Sequence, residues 1–135
     1  MNVKTPHQPL ITIITVTFNA ANDLEETIRS VVEQSYDKVE YIVIDGNSTD
    51  GSRDVIHKYE DRIAFWVSEA DEGVYFAMNK GIELANGDWI NFMNAGDRFS
   101  SPETLLHIAQ MTAYHPDAVI LYGNHEVRKG KGHKV

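Results

Sequence analysis

Four short apolar runs, each followed at once by a polar cluster, constrain this chain more than any other feature. They are residues 10–16 (LITIITV), 39–44 (VEYIVI), 63–67 (IAFWV) and 89–93 (WINFM). They are rich in β-branched and aromatic residues and are largely continuous rather than alternating. That pattern belongs to strands buried on both faces, as in a parallel sheet. Helical spacing fills the gaps between them. Leu24, Ile28, Val31 and Val32 share one helical face in a segment reaching Gln34, with Asn22 or Asp23 as its N-cap. A second helix covers 52–59, with Thr49 or Asp50 as the cap. A third covers 74–85 and closes on Asn86-Gly87, read as a left-handed C-cap pair. Pro102 suits the first turn of a fourth helix, and residues 118–122 read as a fifth strand. Alternating strands and helices predict an α/β fold, a mainly parallel sheet with helices on both faces. Residues 1–9, with two prolines and no periodicity, read as a leader. Residues 10–127 form one domain, and 128–135 form a basic tail.

A length of 135 residues suffices for one hydrophobic core and is too short for two ordinary domains. A formal net charge of -8 argues against nucleic acid as a partner, because a phosphate backbone needs a basic footprint. The absence of cysteine removes disulfides, thiolate zinc sites and cysteine nucleophiles together, and it fits a cytoplasmic chain. The first apolar run is too short to span a bilayer. The six histidines are scattered without the spacing of a zinc site.

In open α/β sheets a ligand sits outside the carboxyl ends of the strands. The polar clusters fall there: Thr17-Phe18-Asn19, then Asp45-Gly46-Asn47-Ser48-Thr49-Asp50-Gly51, then Glu69-Ala70-Asp71-Glu72-Gly73, then Asn94-Ala95-Gly96-Asp97. An Asp45 carboxylate at a strand end can accept from a base N–H or a ribose hydroxyl. Gly46 lets the backbone pass close to a ligand, although Asp-Gly is also ordinary turn chemistry. Asp71 stands out in the acidic loop because Gly73 and a helix follow it, whereas Glu69 and Glu72 read as solvated. Lys80 can neutralise a diphosphate or simply face solvent. Asp97 can supply the hard oxygen that a divalent cation takes or simply serve as a turn or helix-entry aspartate, and Asn94 can offer an amide oxygen to the same ion or to water around it.

These segments together resemble a known family. Residues 15–19 (TVTFN), 39–52 (VEYIVIDGNSTDGS) and 68–97 (SEADEGVYFAMNKGIELANGDWINFMNAGD) look like the amino-terminal half of the family-two glycosyltransferases, near the bacterial enzymes of exopolysaccharide, capsule and lipopolysaccharide synthesis. The resemblance covers nearly all of residues 10–122. It implies a GT-A fold, a Rossmann-like three-layer αβα sandwich, with a nucleoside-diphosphate sugar donor and inversion at the anomeric carbon. It also implies a divalent metal, Mn2+ or Mg2+. On this match Thr17, Phe18 and Asn19 form the first nucleotide-binding loop, and Asp45 reads the base, commonly uracil. Residues 94–97 occupy the DxD-like position, with Asp97 as the metal ligand. The motif reads Asn-Ala-Gly-Asp rather than the aspartate-rich form, and Phe76 stands where relatives often carry aspartate. No residue matches the catalytic base, an Asp or Glu expected in a second half of domain size.

The expected reaction is transfer from a UDP-sugar to a glycan or lipid-linked acceptor at the cytoplasmic side, with peripheral membrane association and homodimerisation left open. The competing reading is a shortened, non-catalytic nucleotide-sugar-binding or interaction module. A sugar nucleotidyltransferase would want a glycine-rich basic loop where Thr17-Phe18-Asn19-Ala20 stands. A signalling receiver would want paired aspartates there.

Overall fold

The computed structural model describes residues 8–121 and 123. Most of the leader, Tyr122 and the basic tail lie outside the described residues. Four strands, β1 (Ile11–Thr17), β2 (Val39–Asp45), β3 (Phe65–Ser68) and β4 (Trp89–Phe92), form one all-parallel sheet in the order β3-β2-β1-β4. The helices are α1 (Ala21–Val32), α2 (Ser52–Lys58), α3 (Val74–Leu84) and α4 (Thr104–Tyr114).

The strand order explains how the helices are distributed. The chain steps from β1 to β2 to β3 in one direction, then crosses back to place β4 on the other side of β1. Right-handed crossovers put helices from opposite directions of travel on opposite faces. α1 and α2 therefore share one face, joined by α4. Leu24, Ile28 and Val31 of α1, Ile56 of α2 and Leu105 and Ala109 of α4 pack there on Ile11, Ile13, Tyr41 and Val43. α3 lies on the other face, over Ile14, Ile42 and Ile44 through Ala77. It sits close because Gly81 lacks a side chain; a Cβ there would fall 2.6 Å from the Ile14 γ-methyl. The result is the expected three-layer αβα architecture.

Several local expectations are corrected. α1 begins after Ala20, not at Asn22 or Asp23, and no side chain of its own caps it. α4 begins two residues beyond Pro102, which lies in the preceding turn and accepts a hydrogen bond from Ser35 N–H (2.8 Å). Asn86-Gly87 is not a left-handed cap. α3 ends in extended geometry at Ala85 (φ -71°, ψ 134°), and neither residue has positive φ. Gly87 serves close approach instead. A Cβ there would stand 2.7 Å from Thr12 N and 2.8 Å from Trp89 O. The Glu40 carboxylate accepts from Asn86 N–H and Nδ2, which ties the α3–β4 connection to the sheet. Residues 118–121 form no strand. A turn bond from Ala118 N–H to His115 O precedes them, and Val119 and Ile120 are 87% and 76% exposed. An apolar run becomes a strand only where an edge accepts its ladder, and this run is not placed on one.

Candidate functional site

The strand order reverses between β1 and β4, and the carboxyl ends of the strands at such a reversal are where open α/β sheets take ligands. Backbone register lines up Thr17, Asp45 and Ser68 along that edge. Ala95 N–H donates to Val16 O (3.2 Å), which brings the 94–97 turn alongside the end of β1. All four polar clusters are thus brought to one edge.

Asp45 is fully buried and its carboxylate is largely committed. Oδ2 accepts from Ser48 N–H (2.9 Å) and Ser68 Oγ (2.6 Å), and Oδ1 accepts from Ser48 Oγ (2.5 Å). These charge-assisted bonds offset the desolvation of a buried carboxylate and tie two loop roots together. One lone pair of Oδ1 stays uncommitted. Beside Asp45, Thr17 is 3% exposed, and its buried hydroxyl has no hydrogen-bond partner among the described residues.

The first two loops are stitched to each other. Asn19 adopts φ 46°, a conformation that asparagine tolerates better than most residues. Its N–H donates to Ser48 Oγ (2.8 Å), and its side-chain oxygen accepts from Thr49 N–H (2.9 Å). The Asn19 side chain therefore holds the neighbouring loop. Asp50 acts across the gap as well: Oδ2 accepts from Ala21 N–H (3.1 Å), and Oδ1 accepts from Ser52 N–H (3.0 Å) and Ser52 Oγ (2.6 Å). One carboxylate thus serves the amino termini of two helices, which explains why α1 needs no local cap. Those bonds, from Ser52 Oγ first, hold the Asp50 carboxyl below its ordinary titration range. The stitching leaves Phe18 64% exposed, its ring against Gly46. A Cβ on Gly46 would lie 3.3 Å from Phe18 Cδ2 and 3.4 Å from Asp71 Oδ2, so Phe18, Gly46 and Asp71 converge.

The acidic loop is less uniform than its sequence suggests. Asp71 Oδ1 accepts from Gly73 N–H (3.0 Å). Glu69, expected to be solvated, pairs with Lys80 at 2.5 Å. Lys80 also lies over the Phe76 ring, 5.8 Å from its centroid. Its charge is already partnered, and a diphosphate would compete with Glu69 for it.

In the fourth cluster the Asp97 carboxylate makes no hydrogen bond or ion pair among the described residues. Asn94 Oδ1 is buried without a donor among the described residues. An unpartnered acceptor and an exposed carboxylate in one short turn, joined by a bond from Asp97 N–H to Asn94 O (2.9 Å), fit a hard cation, which takes oxygen ligands. Among the described residues no three His, Asp or Glu side chains gather into a metal cluster. The remaining ligands would have to come from a bound diphosphate or water. Ser48 and Ser68, the hydroxyls that hold Asp45, are site residues that the strand-end pattern does not single out. The spacing of Ser48, three residues after an aspartate, is a turn signal that could have marked it.

Comparison with known proteins fits this geometry. Residues 12–134 match the profile of Glycosyl transferase family 2. A putative teichuronic acid biosynthesis glycosyltransferase, TuaG of Bacillus subtilis, is 37% identical over 95 residues, covering 68% of this chain and 38% of TuaG. Among solved structures, the mannosyltransferase PcManGT from Pyrobaculum calidifontis, in complex with GDP-Man and Mn2+, superposes with a TM-score of 0.72 at 26% identity. The match covers 84% of this chain and 34% of PcManGT. S. aureus TarS 1-349 in complex with UDP-GlcNAc shares the fold, with a TM-score of 0.73 at 22% identity, covering 78% of this chain and 32% of that one. The chain has the GT-A fold and belongs to glycosyl transferase family 2. It spans well under half the length of these relatives. No helix among the described residues is long and apolar enough to cross a membrane.

Proposed function

We propose that this chain is the donor-binding half of an inverting glycosyltransferase that uses a nucleoside-diphosphate sugar, with UDP as the nucleotide. The acceptor is a glycan or a lipid-linked glycan in bacterial surface polysaccharide synthesis. The domain comprises residues 10–127, and its place of action is the cytoplasm or the inner face of the plasma membrane. A cysteine-free chain fits that reducing compartment. The observation that carries the reading is the exposed Asp97 carboxylate, without a partner among the described residues, in the same four-residue turn as the buried, unpartnered Asn94 Oδ1, at the carboxyl end of β4.

In this reading the exposed Phe18 ring and Gly46 form a platform for the base. Asp45 and the Thr17 hydroxyl are buried in this structure, so the free lone pair of Asp45 Oδ1 and that hydroxyl would contact a base only once the Ser48 loop shifts. Asn19 shapes the platform through Ser48 and Thr49. Asp71 lies at its rim, placed to accept from a sugar hydroxyl. Lys80 reaches the diphosphate by exchanging Glu69 for phosphate oxygens. Asp97 and Asn94 would hold Mn2+ or Mg2+, which when bound neutralises the charge of the departing diphosphate. An acceptor hydroxyl oxygen bonds to the anomeric carbon as the bond from that carbon to the diphosphate oxygen breaks. The hydroxyl proton goes to a carboxylate in the part of the relatives that this chain does not span.

The test is a calorimetric titration of the chain with UDP, with and without Mn2+, repeated with Asp97→Ala. The expected result is metal-enhanced binding that Asp97→Ala abolishes. No binding in either condition would sink the donor-site reading. Binding without donor hydrolysis or transfer would favour a nucleotide-sugar-binding module.

A further inference from the structure

We infer that a polar stripe formed by Thr27 and Ser30 of α1, with Gln34 in the turn that follows the helix, is a positioning device that holds the turn presenting Asp97. Resting on the donor-site reading above, the inference adds residues that no ligand touches. Thr27 and Ser30 lie along one flank of α1, beside the face that buries Leu24, Ile28 and Val31, and Gln34 follows two residues past the helix end, its Nε2 donating to Ser30 C=O (3.0 Å). Their side chains bond to the backbone of the segment that carries Asp97. The Thr27 hydroxyl, fully buried, accepts from Gly96 N–H (3.0 Å) and donates to Asp97 C=O (2.6 Å). Ser30 Oγ accepts from Phe99 N–H (3.2 Å) and donates to Thr27 C=O (2.8 Å). Gln34 Nε2 donates to Ser101 C=O (2.7 Å), and its Oε1 accepts from Leu105 N–H (3.0 Å) in the first turn of α4.

These bonds grip the main chain on both sides of Asp97 and leave its carboxylate untouched. Gly96, at φ 104°, lets the chain turn between two gripped points. Burial alone would be served as well by apolar side chains at these positions. A hydroxyl that takes both a donor and an acceptor from one turn instead sets where that turn stands. Supporting groups that orient a ligand residue commonly set metal affinity without touching the ion.

Thr27→Val removes the hydroxyl at nearly constant shape, and Thr27→Ser restores it. Each variant of the 135-residue chain is titrated with UDP, with and without Mn2+, and Gly96 amide exchange is followed by NMR. Thr27→Val should reduce the Mn2+ enhancement of UDP affinity by about tenfold, leave metal-free UDP affinity unchanged and speed Gly96 exchange. Thr27→Ser should restore both. An undiminished Mn2+ enhancement in Thr27→Val overturns the inference. So does a parallel loss of metal-free and metal-dependent affinity, which a purely structural role produces. Should Thr27→Val fail to fold, Ser30→Ala is expected to show the same split, with Phe99 as the reporting amide. A wild-type chain without any Mn2+ enhancement refutes the donor-site reading instead. In that case the exchange rates alone decide whether the stripe holds the turn.

Discussion

Replacing Asp45 by alanine should damage the fold before it damages binding. The carboxylate is fully buried and accepts from Ser48 N–H, Ser48 Oγ and Ser68 Oγ. Two of those donors are hydroxyls that can rotate to other partners. The Ser48 N–H cannot, and a buried unpaired N–H costs about 1–3 kcal/mol. Loss of the charge-assisted hydroxyl bonds adds about 1–2 kcal/mol net of the desolvation no longer incurred. The sum is about 3 kcal/mol, a large part of the roughly 5–15 kcal/mol that stabilises an ordinary domain. At this size it corresponds to a melting temperature lower by about 10–15 °C. Thermal melts followed by far-UV circular dichroism, without nucleotide, measure it directly. Asp97→Ala serves as the internal contrast, because an exposed and unpartnered carboxylate should leave the melt unchanged. An Asp45→Ala protein that melts within about 2 °C of wild type would refute the reasoning. Asp45 would then matter only as a ligand contact.

Three further predictions address other parts of the molecule. Gly87→Ala forces a Cβ against the Thr12 and Trp89 backbones, which cannot give way as a side-chain tip can, and should destabilise by about 2–3 kcal/mol in urea unfolding. Asp50 titrates lower folded than unfolded, so its contribution is fully present above the ordinary value of 3.8 and is lost as the pH falls through the folded value. Melts between pH 6 and pH 2.5 should show a smaller acid-side drop in Asp50→Asn than in wild type, and equal drops would remove Asp50 from the account. Glu69→Gln releases Lys80 from its ion pair and should tighten UDP binding by about threefold at low salt; unchanged affinity would take Lys80 out of the diphosphate site.

The architecture was legible in the chain itself. Parallel strands buried on both faces need continuous apolar runs, and all four such runs became strands within one residue of their expected bounds, except that β3 starts two residues later. The polar clusters after them were legible for the same reason, since a strand end is where the chain returns to solvent. Local chemistry was read less well wherever its partner lies far along the sequence. Asn86-Gly87 has the composition of a helix cap, yet Glu40 and Thr12, some 46 and 75 residues away, decide what it does. Residues 118–121 have the composition of a strand, and no ladder takes them up.

The same division runs through the candidate site. Sequence alone determined which residue types stand at each strand end, because apolar periodicity is a local property of the chain. Only the tertiary structure decided their partners. It assigned Asp45 to Ser48 and Ser68, Asn19 to the second loop, Lys80 to Glu69 and the main chain around Asp97 to Thr27. A hydrogen bond depends on which donor the fold brings within about 3 Å of an acceptor. For Asp97 and Asn94 the fold left a carboxylate and an amide oxygen uncommitted among the described residues, and that follows from packing the 94–97 turn between β1 and α1.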